Sequence, residues 1–325
     1  MAEKVGTRGK KYKPGFRDIV RMGRQAFAGW KDDYASSMGA ALSYYTFFSL
    51  GPLLLIVISL AGFFFGQDAA RARILEEISA LMGSAGALAI DELLGSFQKS
   101  SNSVGGAIIG VVVLLIGATS VFGELQDALD RIWRVPAPAR QSGWMSLVTS
   151  RLLSFGLILS IGFLLIVSLV LSAALAALGR WWSASLAGWA VAAQIGDFIL
   201  GLGLTTAAFA IIYKMMPRAR VDWRDVWIGA AVTGLLFQVG KSLIGLYIGR
   251  SGVLSGFGAS SSVVMLLVWV YYSAQIFLLG AEFTWVYAHD FGSLRDAPHE
   301  EIDPQSSDAP PSRSSTPPQT RTTSP

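Results

Sequence analysis

The chain contains no cysteine and only two histidines, His289 and His299. Without thiols there can be no disulfide, thiolate zinc site or cysteine nucleophile, and the redox compartment goes unread. Neither histidine stands in an H-x-H or H-E-x-x-H arrangement, so the several convergent ligands of a metal-dependent nuclease are missing. Charge is scarce as well, at 15% of residues, where soluble domains carry about 25%. No P-loop occurs: "GRSGVLSG" lacks the lysine, and "GFGASS" is glycine-rich only in composition. No short apolar run with a small-residue cleavage site opens the chain, so a removable signal peptide is not expected. Neither catalytic residues, a metal site nor a cofactor is expected.

Apolar residues are abundant. Of 325 residues, 52% are hydrophobic, and the mean hydropathy is +0.49, a membrane-protein composition. Six runs are long enough to cross about 30 Å of hydrocarbon as helices: Met38–Gly66, Val104–Phe122, Leu147–Leu178, Leu186–Tyr213, Val226–Gly249 and Ser261–Ala288. The expected fold is therefore an all-α bundle of six transmembrane helices. Pro52, inside the first run, removes one backbone hydrogen bond and is expected to kink it.

Basic residues set the orientation. Nine of the 26 lysines and arginines precede the first span. Arg131, Arg134, Arg140 and Arg151 follow the second, Lys214, Arg218, Arg220 and Arg224 follow the fourth, and Arg295, Arg313 and Arg321 lie in the tail. The opposite side holds Arg71, Arg73, Lys99, Arg180 and Arg250. This bias puts both termini in the cytoplasm.

Three zones follow. Residues 1–33 form a basic cytoplasmic arm, in which Gly15–Trp30 reads as a surface helix with its basic face toward anionic lipid. Residues 34–290 form the membrane domain, and 291–325 form a Pro/Ser/Thr-rich tail that cannot build a core and is expected to be disordered. The first outer loop, 68–99, repeats apolar residues at helical spacing on either side of "GSAG" at 83–86. It reads as two amphipathic helices, lying on the interface or acting as a lid. "GELQDALDRIWRV" extends the second span as a charged helix, with Asp127–Arg131 and Asp130–Arg134 spaced for i,i+4 pairing.

Four stretches, "ALSYYTFFSLGPLLL", "ALDRIWRV", "FQVGKSLIGLYI" and "VWVYYSAQIFLLGAEFTW", together resemble the YihY/BrkB family of bacterial inner-membrane proteins, historically labelled ribonuclease BN. The likeness covers about residues 30–288. It implies six spans and an inner-membrane location but no settled substrate. Some members carry a glutamate three residues before the lysine of the third stretch, where this chain has Gln238. The ribonuclease label finds no support in the residues, because the cytoplasmic acids Glu124, Asp127 and Asp130 read as solvated helix charges.

A charge in hydrocarbon costs about 2.5–3.5 kcal/mol on insertion scales, which singles out Lys241, Asp197, Glu282, Gln238 and Gln275, with Arg151 near a membrane face. Depth arithmetic places Lys241 and Asp197 at similar levels in the outer half, facing each other or sharing a wet cavity. Glu282 falls in the inner half near Arg151, too far down to meet Lys241. Three readings of Lys241 stand: snorkelling, a structural ion pair, or part of a transport pathway. For Gln238 and Gln275, interhelical hydrogen bonding is the plainer role. The hydroxyls of "SYYTFFS" and Tyr271–Tyr272 either line a path for an amphiphile or satisfy one another. Gly51–Pro52 and Gly256–Gly258 are candidate hinges.

The leading expectation is a transporter or exporter of an envelope lipid or other amphiphilic anion, not an enzyme, with membrane lipids as partners and no nucleic acid. The alternative is a scaffolding membrane protein, and a membrane-associated ribonuclease comes third. Substrate, coupling and oligomeric state are not readable from the residues.

Overall fold

Seven helices make up the described residues, 15–101, 104–135, 189–219, 221–250 and 260–295, of the computed structural model. They are α1 (Phe16–Asp32), α2 (Ala35–Phe65), α3 (Gln67–Ser101), α4 (Val104–Ile132), α5 (Trp189–Met215), α6 (Trp223–Arg250) and α7 (Ser261–Asp290). No strand occurs among these residues. Five helices are long and apolar enough to cross a membrane: α2, α4, α5, α6 and α7. The expected third span, Leu147–Leu178, lies outside the described residues, as do Arg151, Gly256, Gly258 and the tail from 296.

Local chemistry explains the helix limits. Asp18 Oδ2 accepts the Gly15 N–H at 3.0 Å and caps α1. Asp18 in the first turn and Lys31 in the last also complement the helix dipole. Between α1 and α2 the chain turns at Tyr34, which adopts φ +55°, a left-handed conformation that costs a non-glycine residue roughly 1–2 kcal/mol. Gly83, with φ +81° and ψ 171°, breaks α3 into two helices. Only glycine takes that conformation without strain, and the break falls where "GSAG" was expected to make one. Pro52 sits inside α2, which continues on both sides of it.

Close contacts fix the topology. Gly117 of α4 lies against Ser49 of α2, and Arg131 reaches Asp33 at 3.9 Å, so α2 and α4 are antiparallel. Gly234 of α6 lies against Thr206 and Leu202 of α5, while Gly229 meets Thr284 and Gly280 meets Thr233 between α6 and α7. The bundle thus has an α1 end, where α4, α5 and α7 finish and α2 and α6 begin, and an α3 end. At the α1 end Leu129, Ile132, Tyr213, Val226, Leu278 and Ala281 are fully enclosed. A smaller cluster at the α3 end comprises Ile58, Met82, Ile90, Leu94 and Leu266. Apolar residues also point outward in stripes, such as Ile108, Val112, Leu115 and Ile116 on α4, the surface that lipid demands.

The charged extension of α4 pairs differently from its spacing. Arg131 turns to Asp33, and Asp130 receives Arg218 through the guanidinium at 3.4 Å and the backbone N–H at 2.8 Å. Tertiary partners win over i,i+4 neighbours because Asp130 is buried where α4 meets the α5–α6 turn, and a buried carboxylate gains more from two donors than from one exposed neighbour.

Candidate functional site

Glu282 stands on α7, opposite the break between α1 and α2. It is 2% exposed, and its Oε1 has no hydrogen-bond partner. Gly29 of α1 makes room for it, since a Cβ added there would come 2.6 Å from Glu282 Oε2. The charged groups facing Glu282 are Asp33 and Asp32 at the end of α1 and Arg134 beyond the end of α4. Arg134 is itself left-handed, at φ +50°, and its Cζ stands 4.2 Å over the ring of Trp285. Among the described residues no cation comes within ion-pair distance of Glu282, which distinguishes it from Asp130 a few residues up α4 from Arg134.

Two turns along the same face of α7, Gln275 meets Gly39 of α2. Both of its amide atoms are buried and lack partners, as does Trp269 Nε1. Seven residues on a helix return to one face about 10 Å further on. Gln275 and Glu282 therefore form a polar seam between α7 and the α1–α2 pair, with a glycine opposite each. An unsatisfied polar group costs about 1–3 kcal/mol in a protein interior, and more in hydrocarbon.

Elsewhere most buried polar groups are satisfied, with Asp130 Oδ2 and Trp133 Nε1 as exceptions. Tyr213 donates to the Phe277 carbonyl at 2.7 Å and lies 3.1 Å from Thr233 Oγ1. Thr233 and Thr284 bond back to the Gly229 and Gly280 carbonyls. Asp225 Oδ2 accepts both the backbone N–H and the hydroxyl of Ser293 at 2.7 Å, tying the end of α7 to the start of α6. The pairings of Tyr213 and Asp225 have no local signal in the sequence, because they join residues twenty or more apart along the chain.

Lys241 is half-buried on α6, and among the described residues it has no ion pair. It lies two turns beyond Gly234 on the face that meets α5, and the antiparallel register brings it level with position 197. The side chain of Asp197 lies outside the described residues. Gly240 meets Tyr272 and Ile276 of α7, so Lys241 is about ten residues, or roughly 15 Å, from the level of Glu282. Gln238 is half-buried one turn before Lys241. Gly51 packs on the ring of Phe97 from α3, beside the buried Pro52. In the aromatic stretch of α2, Tyr44 and Phe48 stack edge-on and face outward. Among the described residues no three His, Asp or Glu side chains converge to hold a metal ion.

Comparison with known proteins adds a family. A UPF0761 membrane protein of Pseudomonas aeruginosa (strain LESB58) is 31% identical over 274 residues, covering 82% of this chain and 62% of the relative. A UPF0761 membrane protein of Alteromonas mediterranea is 27% identical over 259 residues, covering 78% of this chain and 83% of the relative. The chain thus spans less than two thirds of the Pseudomonas protein. No solved structure matches it. The model of the virulence factor BrkB family matches residues 26–303, and with five membrane-length helices behind that match, this chain is a membrane protein of the BrkB family.

Proposed function

We propose that the protein is a transporter or exporter of an envelope lipid or other amphiphilic anion, with the α1 end in the cytoplasm of a bacterial inner membrane. The observation that carries this reading is the polar seam on α7. A scaffold uses polar groups to tie helices together, and Tyr213, Thr233 and Asp225 do so. Gln275 does not, since both of its amide atoms are unpartnered, and Glu282 keeps Oε1 unpartnered although its carboxyl also hydrogen-bonds with Asp33. Groups of that kind suit a hydrated path or a polar guest. Lys241, half-buried and without an ion pair among the described residues, supplies the counter-charge for an anion nearer the α3 end. The positive-inside bias supports the orientation, and the bacterial relatives support the location.

The test is mass spectrometry of what co-purifies with the wild type and with Lys241→Met, read beside the unfolding of both. An anionic amphiphile retained by the wild type and lost from a stably folded Lys241→Met supports transport. The same bulk lipid in both, with assembly lost in the variant, would establish the scaffold instead.

A further inference from the structure

One face of α1 is unaccounted for. Met22 and Ala26 are buried against Val286, Leu279 and Phe283 of α7, and this packing leaves another apolar strip outside. Ile19 is 49% exposed, Val20 45% and Phe27 55%, with Trp30 stacked on Phe27 at 5.6 Å. Beside the strip run Arg17, Arg24 and Lys31, all exposed. Their seven-residue spacing lines them up along the helix, and among the described residues none of the three has an ion pair.

The level of this strip comes from α7. Arg21 reaches Asp290 at 3.4 Å and Gly29 meets Glu282, so α1 runs antiparallel along the last turns of α7. Phe27 is then level with about residue 284 and Val20 with about residue 291. By the Gly229–Thr284 contact, the half-exposed Trp223 and Trp227 of α6 are level with about residues 290 and 286. Exposed tryptophans at one level of a membrane bundle mark the headgroup zone. The apolar strip and basic row of α1 occupy that same level.

We propose that this face of α1 is a docking surface for an anionic lipid leaflet: Val20 and Phe27 enter the headgroup boundary, and Arg17, Arg24 and Lys31 pair with headgroup phosphates. The chemistry is that of an amphipathic interfacial helix with a polybasic edge. The arrangement differs from a helix lying flat on the surface, because α1 follows α7 and therefore crosses the headgroup zone steeply.

The chain lacks cysteine, so one introduced thiol carries one spin label. Nitroxides at Val20→Cys, Arg24→Cys and Phe27→Cys are placed singly in the full chain. Each is reconstituted in nanodiscs of phosphatidylcholine with phosphatidylglycerol, and in phosphatidylcholine alone. Collision rates with oxygen and with a water-soluble nickel chelate are then compared. The expected oxygen-to-nickel ratio is several-fold higher at Phe27 than at Arg24, deeper at Phe27 than at Val20, and larger with phosphatidylglycerol. Replacing Arg17, Arg24 and Lys31 by Gln in the Phe27→Cys background should remove the lipid-charge dependence. Nickel access at Phe27 equal to that at Arg24 overturns the proposal, since the strip would face water. Shielding from both reagents also overturns it, because protein, such as a second copy, would cover the strip. Equal depth at Val20 and Phe27 rejects the steep crossing, and indifference to lipid charge rejects the phosphate contacts.

Discussion

The two ends of the bundle are held together by different means. At the α1 end, α4, α5, α6 and α7 are linked by a buried hydrogen bond from Tyr213 and by partly buried ones accepted by Asp225 and Asp130. Gln126 adds a bond at 3.3 Å to the Met216 carbonyl. The α3 end relies on apolar contacts around Ile90 and Leu94. Its chief tertiary ion pair is Arg71–Asp91, 2.6 Å apart and partly exposed. The contrast matters because lipid tails are as apolar as leucine. Burying a side chain against another helix gains little there, and close approach and hydrogen bonds decide the association. The α1 end is therefore the firm platform, and the α3 end is the part with fewer constraints on movement.

Four substitutions test that contrast, each read by unfolding of the purified protein in mixed micelles. Gly280→Val should cost most, about 3 kcal/mol, because the new side chain runs into Thr233 and Tyr213. Tyr213→Phe should cost about 2 kcal/mol by removing the hydroxyl that bonds both the Phe277 carbonyl and Thr233. Asp225→Ala follows at about 1.5 kcal/mol, as Ser293 loses the acceptor for two hydrogen bonds, and a probe near residue 293 should loosen first. Arg71→Gln should cost less than about 1 kcal/mol and lose even that in high salt. A loss from Arg71→Gln as large as that from Tyr213→Phe would erase the distinction between the ends.

Much of this architecture was legible in the residues. Hydropathy located α2, α4, α5, α6 and α7, because backbone in hydrocarbon must satisfy itself within a helix. Gly83 was legible as a break, since a glycine-rich interruption of helical periodicity has few other meanings. Tyr34 gave no such sign: its left-handed turn is imposed by α1 and α2 both packing on α7. Glu282 was recognisable as a charge near a span end, but not its surroundings, which come from Gly29, Asp33 and Arg134 on two other elements. Asp127 and Asp130 misled by their spacing, because Arg218 arrives from eighty-eight residues away. Gln275 and Gly39 give no local hint of their meeting.

The turn at Tyr34 has a mechanical consequence. Helix α1 is a stiff rod of about 25 Å, joined to α2 through a single strained residue, with Gly29 resting on Glu282 near the joint. With Met22 and Ala26 also held against α7, the rod is fixed along its middle as well as at its joint. A side chain at position 29 would therefore have to displace the Glu282 carboxyl or lift the rod from α7.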